Sequence, residues 1–144
     1  MEALPRPRTV RIGTLELHFH VDETDGAGDV VMFEFVVPEK ARVPVPHFHE
    51  ACDEIVYGLE GTMTTTLDGV AHQVRQGDVV FVPRGRVHHH ANLHEGTARA
   101  MIVIAPGTIG RRYFEEMAEI VSRPGPPDAA QMKAVMLRHG LVPA

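Results

Sequence analysis

The chain is 144 residues long, and 44% hydrophobic with 23% charged residues is the balance of an ordinary globular protein with one core. A formal charge of −5 speaks against a nucleic-acid partner, and the longest apolar runs, "DVVMFEFVVP" and "AMIVIAP", are too short for a transmembrane helix. The single cysteine, Cys52, excludes an internal disulfide; with no apolar leader in "MEALPRPR", the expectation is a cytoplasmic protein with neither membrane nor nucleic acid as a partner.

From Val10 to Pro106, strand-like runs recur at roughly 8 to 12 residue intervals, the spacing of a sandwich or barrel rather than of alternating βαβ units. In order they are "VRIGTLELHFHV", read as one long first strand, then "VVMFEFVV", "EIVYGLEG", "TMTTTL", "AHQVRQ", "DVVFVP" and "ARAMIVIA". Asp68-Gly69 supplies the positive φ that a tight hairpin needs within "TTTLDGVAHQV". After Pro106 the period changes. "RRYFEEMAEIV" places Tyr113, Phe114, Met117, Ile120 and Val121 on one helical face, and "RPGPP" stops that helix. Asp128 and Gln131 resemble a capping box for a second helix, "AAQMKAVMLRH", which turns Met132, Val135 and Met136 inward and ends at Gly140. The division expected is a β-barrel over 1–106 and a helical appendage over 107–144 that is not an independent domain.

Ten histidines are present, and seven lie between His47 and His94. His47 and His49 are two apart, so an extended strand points both to one side. Glu54 has the wrong parity to join them unless "EACD" makes a turn and Glu54 begins the next strand. "GDVVFVPRGRVHHHAN" turns at Pro83-Arg84-Gly85 and delivers His88. Three neutral imidazoles and a carboxylate form a donor set for a divalent transition metal: Fe, Mn, Ni, Cu or Zn. Asp53 is the alternative carboxylate. Cys52 reads as a buried thiol, His89 as outward-facing, and His90 as a solvated loop residue rather than a cavity residue. His18 and His20 read as an ordinary strand face, and Arg84 and Arg86 as solvated turn residues. Free imidazole titrates near pH 6.5, so such a centre is expected to release metal as the pH falls from about 7.5 to 5.5.

"HFHEACDEIVYGLEG" and "GDVVFVPRGRVHHHAN" resemble the two cupin motifs. His47, His49, Glu54 and Gly61 match the first, and Gly77, Pro83, Gly85, His88 and Asn92 the second, with 15 residues between Gly61 and Gly77. The motif core spans 41–92. Ala41 departs from the glycine that usually opens the first motif, which bears on loop shape and not on the ligands. The resemblance implies an all-β fold, the cupin double-stranded β-helix or jelly-roll barrel, with the two-helix C-terminal appendage outside it. It implies His47, His49, Glu54 and His88 as metal ligands, with Glu54 doubling as the catalytic base. It further implies a small-molecule substrate and a homodimer paired through sheet edges; the first strand is long enough to cross to the neighbour, and the C-terminal helices either mediate assembly or cover the barrel mouth. The quercetinase-like and small dioxygenase cupins point to an oxidoreductase of dioxygenase type acting on an enol, catechol or flavonol-like compound. A non-redox isomerase or decarboxylase, and a non-catalytic small-ligand-binding protein, are the alternatives.

Overall fold

The computed structural model describes residues 8–41, 43 and 45–144. The leader reading of the first residues therefore lies outside the described residues. Among the described residues, eleven strands form two facing antiparallel sheets. They are β1 (Arg8–Ile12), β2 (Leu15–Val21), β3 (Val31–Val37), β4 (His47–His49), β5 (Asp53–Glu60), β6 (Met63–Leu67), β7 (Val70–Val74), β8 (Val79–Val82), β9 (His88–Ala91), β10 (Ala98–Ala105) and β11 (Leu141–Pro143). One sheet runs β1-β2-β3-β10-β5-β8 and the other β11-β4-β9-β6-β7. This is the jelly-roll barrel, with two helices, α1 (Arg111–Ser122) and α2 (Ala129–Arg138), at its C-terminal end.

Alternation builds the core. Leu15, Leu17 and Phe19 of β2 point inward, as do Val31, Phe33, Phe35 and Val37 of β3 and Ala98, Ala100, Ile102 and Ile104 of β10. Each large apolar side chain removed from water in this way contributes about 1.5–3 kcal/mol. Asp68 (φ 48) and Gly69 (φ 81) turn the β6–β7 hairpin as expected.

Three features differ from the sequence expectation. The run from Val10 to Val21 is not one strand but a hairpin, with Ile12 opposite Leu15. Gly13, at φ 59, makes the reversal possible, so this strand folds back on its own chain instead of extending outward. "HHHA" is strand β9 rather than loop, and the C-terminal "LVP" pairs with β4 and completes the second sheet.

The helices pack on this chain's own barrel. Tyr113, Met117 and Ile120 of α1 and Val135 and Met136 of α2 are buried, while Phe114, Val121 and Met132 are half-buried. The N-terminus of α1 is capped from afar, because Glu23 accepts hydrogen bonds from the Arg111 and Arg112 N–H groups at 3.0 and 3.1 Å. Buried Asp22 accepts from Arg111 at 2.8 Å and pairs with Arg8 at 2.8 Å. Burial alone would raise its carboxyl, but Thr24, Arg111 and Arg8 outweigh burial and lower it to about 2. These contacts fix α1 against β1 and the turn that follows β2, with Tyr113 and Phe114 lining the barrel interior. No helix among the described residues is long and apolar enough to cross a membrane.

Candidate metal centre

β4 carries His47 and His49, and β9 carries His88 directly opposite His47. Residues 50–52 break the strand pattern, and β5 starts at Asp53. The parity change expected at "EACD" therefore occurs, and it brings Glu54 in from the other sheet. One ligand atom each from His47, His49 and His88 lies within 4.8 Å of the others, and so does one each from Glu54, His88 and His90. These two sets share His88. Glu54 lies 4.0 Å from His49 Nε2 and 3.9 Å from His88 Nε2, but only 2.7 Å from His90 Nε2.

The hydrogen bonds fix which nitrogens face inward. His47 Nδ1 donates to the Val45 carbonyl at 2.8 Å and His88 Nδ1 to the Arg86 carbonyl at 3.0 Å. A carbonyl only accepts, so in each neutral ring the Nε2 atom keeps its lone pair. His49 Nδ1 faces the Cys52 sulfur at 3.5 Å, leaving its Nε2 3.2 Å from that of His47. His88 Nε2 is buried without a hydrogen-bond partner. With the His47 Nε2 lone pair facing inward, the 3.2 Å contact is a hydrogen bond from the His49 Nε2–H, a proton that a tautomer shift to Nδ1 removes, and the orphaned His88 Nε2 beside it completes a good cation site. The residues present fit a divalent metal, and the outer carbonyl acceptors orient the rings as metal-bound histidines require.

Burial lowers the imidazole pKa values, reinforced by the neighbouring imidazoles, to about 3 for His47 and about 4 for His49, and downward for His88. All three are neutral at physiological pH and ready to coordinate. For Glu54 burial acts upward, yet His90, His88 and His49 outweigh it and hold the carboxyl well below the usual carboxylate range. The carboxylate accepts the His90 Nε2–H, so the Nδ1 of a neutral ring accepts from the Thr65 hydroxyl at 2.9 Å.

The placement of His90 overturns the solvated-loop expectation. On β9 it has the parity of His88 and faces the interior, which the two-residue interval would have revealed had "HHHA" been read as a strand. Asp53, the alternative carboxylate, instead accepts from the Arg84 backbone N–H at 2.9 Å and from its guanidinium at 3.1 Å. Arg86 is likewise engaged, with Asp68. Cys52 is buried, and burial pushes its thiol up, away from thiolate character. His18 bonds Thr9 across the first hairpin at 2.9 Å. Asn92 is buried and donates to the Val37 and Gly96 carbonyls at 2.9 and 2.8 Å, so this motif residue ties the strand after His88 to the opposite sheet. Gly61 has φ 64, and a Cβ there would lie 2.4 Å from the Thr97 carbonyl oxygen, which explains the motif glycine.

His47, His49, Glu54 and His90 open onto a cavity of about 60 Å³ whose remaining walls are mostly apolar, including Phe33, Phe35, Ile102 and Phe114. Among the described residues its lining contains no lysine or arginine.

Comparison with known proteins accords with this geometry. Over 84 residues the chain is 38% identical to the quercetin 2,3-dioxygenase of Bacillus subtilis, matching 58% of this chain but only 24% of that protein. Among solved structures, a predicted oxalate decarboxylase from Thermotoga maritima superposes with a TM-score of 0.61 at 20% identity, covering 70% of this chain and 92% of the other. KdgF from Halomonas sp. gives 0.60 at 19% identity, covering 69% and 86%, and a sugar phosphate isomerase from Silicibacter pomeroyi gives 0.59 at 18%, covering 72% and 71%. At these identities the structural likeness speaks for the fold alone. The cupin domain family matches residues 33–104, half of the chain, and both sheets and both motifs agree with it: the protein belongs to the cupin family.

Proposed function

We propose that this cupin is a metal-dependent oxidoreductase of dioxygenase type, acting on a small enol, catechol or flavonol-like substrate, with His47, His49, His88 and Glu54 as ligands of one divalent metal. The observation that carries the reading is the orphaned Nε2 of His88 within 4.8 Å of a ligand atom of both His47 and His49, two imidazoles that open with Glu54 and His90 onto a chamber otherwise walled by mostly apolar side chains. When bound, a redox-capable ion would acidify a substrate hydroxyl and bring the substrate and O2 together. Glu54 is the group placed to take that hydroxyl proton, and His90, held by Thr65, steadies the carboxylate. The apolar walls keep bulk water from the deprotonated substrate. The partial identity to quercetin 2,3-dioxygenase supports the same direction.

The isomerase and decarboxylase alternatives are favoured less, because phosphorylated or carboxylated substrates call for cationic side chains that the chamber lining lacks. Oxygen uptake decides the matter. Protein reconstituted anaerobically with Fe(II), Mn(II) or Ni(II) should consume O2 with catechols or flavonols in step with substrate loss. Absence of uptake with every metal would leave a non-redox enzyme or a binding protein.

We also propose a cytoplasmic homodimer. The outer face of β5 and β8 exposes Ile55, Tyr57, Val79 and Phe81, with Ile55 opposite Phe81 and Tyr57 opposite Val79, and β8 is a sheet edge. A contiguous apolar face on an open edge suits a second copy of the chain. β1 is the other open edge of the same sheet, but it carries no exposed large hydrophobic residue, so the β5–β8 face is favoured as the dimer contact.

A further inference from the structure

Two cavities meet on the helical side of the barrel. The inner one is the metal chamber of about 60 Å³. The outer one is a groove of about 620 Å³ between the β1–β2 turn, the segment around Pro38–Ala41, and the facing sides of α1 and α2. Val43, Tyr113 and Phe114 line both, so these three side chains form the threshold between them.

The difference in size constrains what binds. The chamber holds a few water-sized groups, whereas the groove falls in the volume range of small-molecule sites. Only the reactive end of a ring-sized substrate fits at the imidazoles, and its body has to lie elsewhere. The groove offers Ile12, Leu15, Met117, Val121 and Met132, a mostly apolar lining with Glu39 and Lys40 on one side, in which the methionines can adapt to a flat ligand. At the threshold, the Tyr113 ring is buried, and its hydroxyl makes no hydrogen bond among the described residues. Burial pushes that phenol well up, so it is an uncharged donor at neutral pH.

We propose that the groove seats the apolar, ring-sized body of the substrate. Its oxygen-bearing end passes Val43 and Phe114 into the chamber, and Tyr113 donates a hydrogen bond to a ligand oxygen at the threshold. This names the substrate class for the dioxygenase reading and rests on that reading only for the destination of the oxygen-bearing end. The groove is built by the helices and the first hairpin, so specificity resides outside the two motifs.

The test uses quercetin, which has both a chelating end and a body, and catechol, which is a chelating end alone. Both are titrated calorimetrically into metal-free and Zn(II)-loaded protein, where no turnover intervenes. Met132→Trp and, independently, Val121→Trp fill the groove from α2 and α1 without touching the imidazoles. Each should weaken quercetin about tenfold or more in both forms and leave catechol within about twofold, with circular dichroism unchanged. Tyr113→Phe should weaken quercetin severalfold without altering zinc stoichiometry. Quercetin affinity that ignores both groove variants, falls only in step with catechol, or is absent in the wild type overturns the proposal. Failure of the dioxygenase reading looks different: groove-dependent binding persists while no metal form consumes O2.

Discussion

At the residue scale, the centre is organised by what each polar atom lacks. His47 and His88 use Nδ1 on backbone carbonyls, and Glu54 is drawn to His90, so the inward Nε2 atoms are left for a cation. The Glu54–His90 contact implies a stability effect that depends on metal. Replacing His90 by Phe removes a hydrogen bond to a buried carboxylate and should destabilise metal-free protein by about 2–3 kcal/mol in urea unfolding. With Zn(II) present the loss should shrink, because the ion then supplies the compensating charge; equal losses in both forms would contradict a metal-facing Glu54. The clustering of His47 and His49 with His88 was legible from strand parity and motif spacing, whereas the approach of Glu54 to His88 needed the break at residues 50–52. His90 was not legible, because three successive histidines after the Pro83-Arg84-Gly85 turn carry no signal that a strand has resumed. The carboxylate choice was legible only in part: Asp53 is excluded by Arg84, a contact between residues 31 apart.

At the element scale, the helices were read almost to the residue, because their apolar faces and caps are local signals. Asp128 accepts from the Gln131 N–H at 3.1 Å, but the Gln131 side chain turns to Arg123 at 2.7 Å, so half of the expected capping box forms. Asp128→Ala should therefore cost about 1 kcal/mol and lower the Tm by a few degrees. An unchanged Tm would show that α2 is held by Val135 and Met136 alone. Strand boundaries were less legible. Gly13-Thr14 is not one of the usual hairpin dipeptides, so the alternation runs through it unbroken and predicts one long strand. β11 has only three residues, Leu141–Pro143, and exists because β4 has an open edge beside it. Tertiary pairing of this kind leaves no periodic trace.

At the scale of the whole molecule, burial of the imidazoles changes how the protein answers to acid. In the unfolded chain these histidines take up protons near pH 6.5, whereas native His47 and His49 resist until about 3 and 4. Their pKa values are depressed by folding, so the stabilisation they give is present above about pH 6.5 and is lost as the pH falls below it. Metal-free protein should lose up to about 1.4 kcal/mol of stability per pH unit for each such imidazole between pH 6 and 4, read by urea unfolding. With His47 and His49 depressed to about 3 and 4, the release expected for the centre between pH 7.5 and 5.5 should fall lower, with affinity nearly flat to about pH 5; a steep loss between pH 7.5 and 5.5 would contradict this. Assembly is tested by Phe81→Asp, which should convert a dimer to monomer in light scattering without loss of fold; a monomeric wild type would remove the proposed contact. The barrel itself was legible from strand spacing and the motif glycines, but the groove over its mouth was not, because it is made where a hairpin, a loop and two helices from distant parts of the chain converge. The most direct measurement of the central claim is the metal content of the purified protein beside that of His88→Ala. The account predicts one divalent ion per chain in the wild type and none in the variant, with circular dichroism showing both folded. Full stoichiometry retained without His88, or no ion bound by the wild type after titration with Fe(II), Mn(II), Ni(II), Cu(II) or Zn(II), would contradict it.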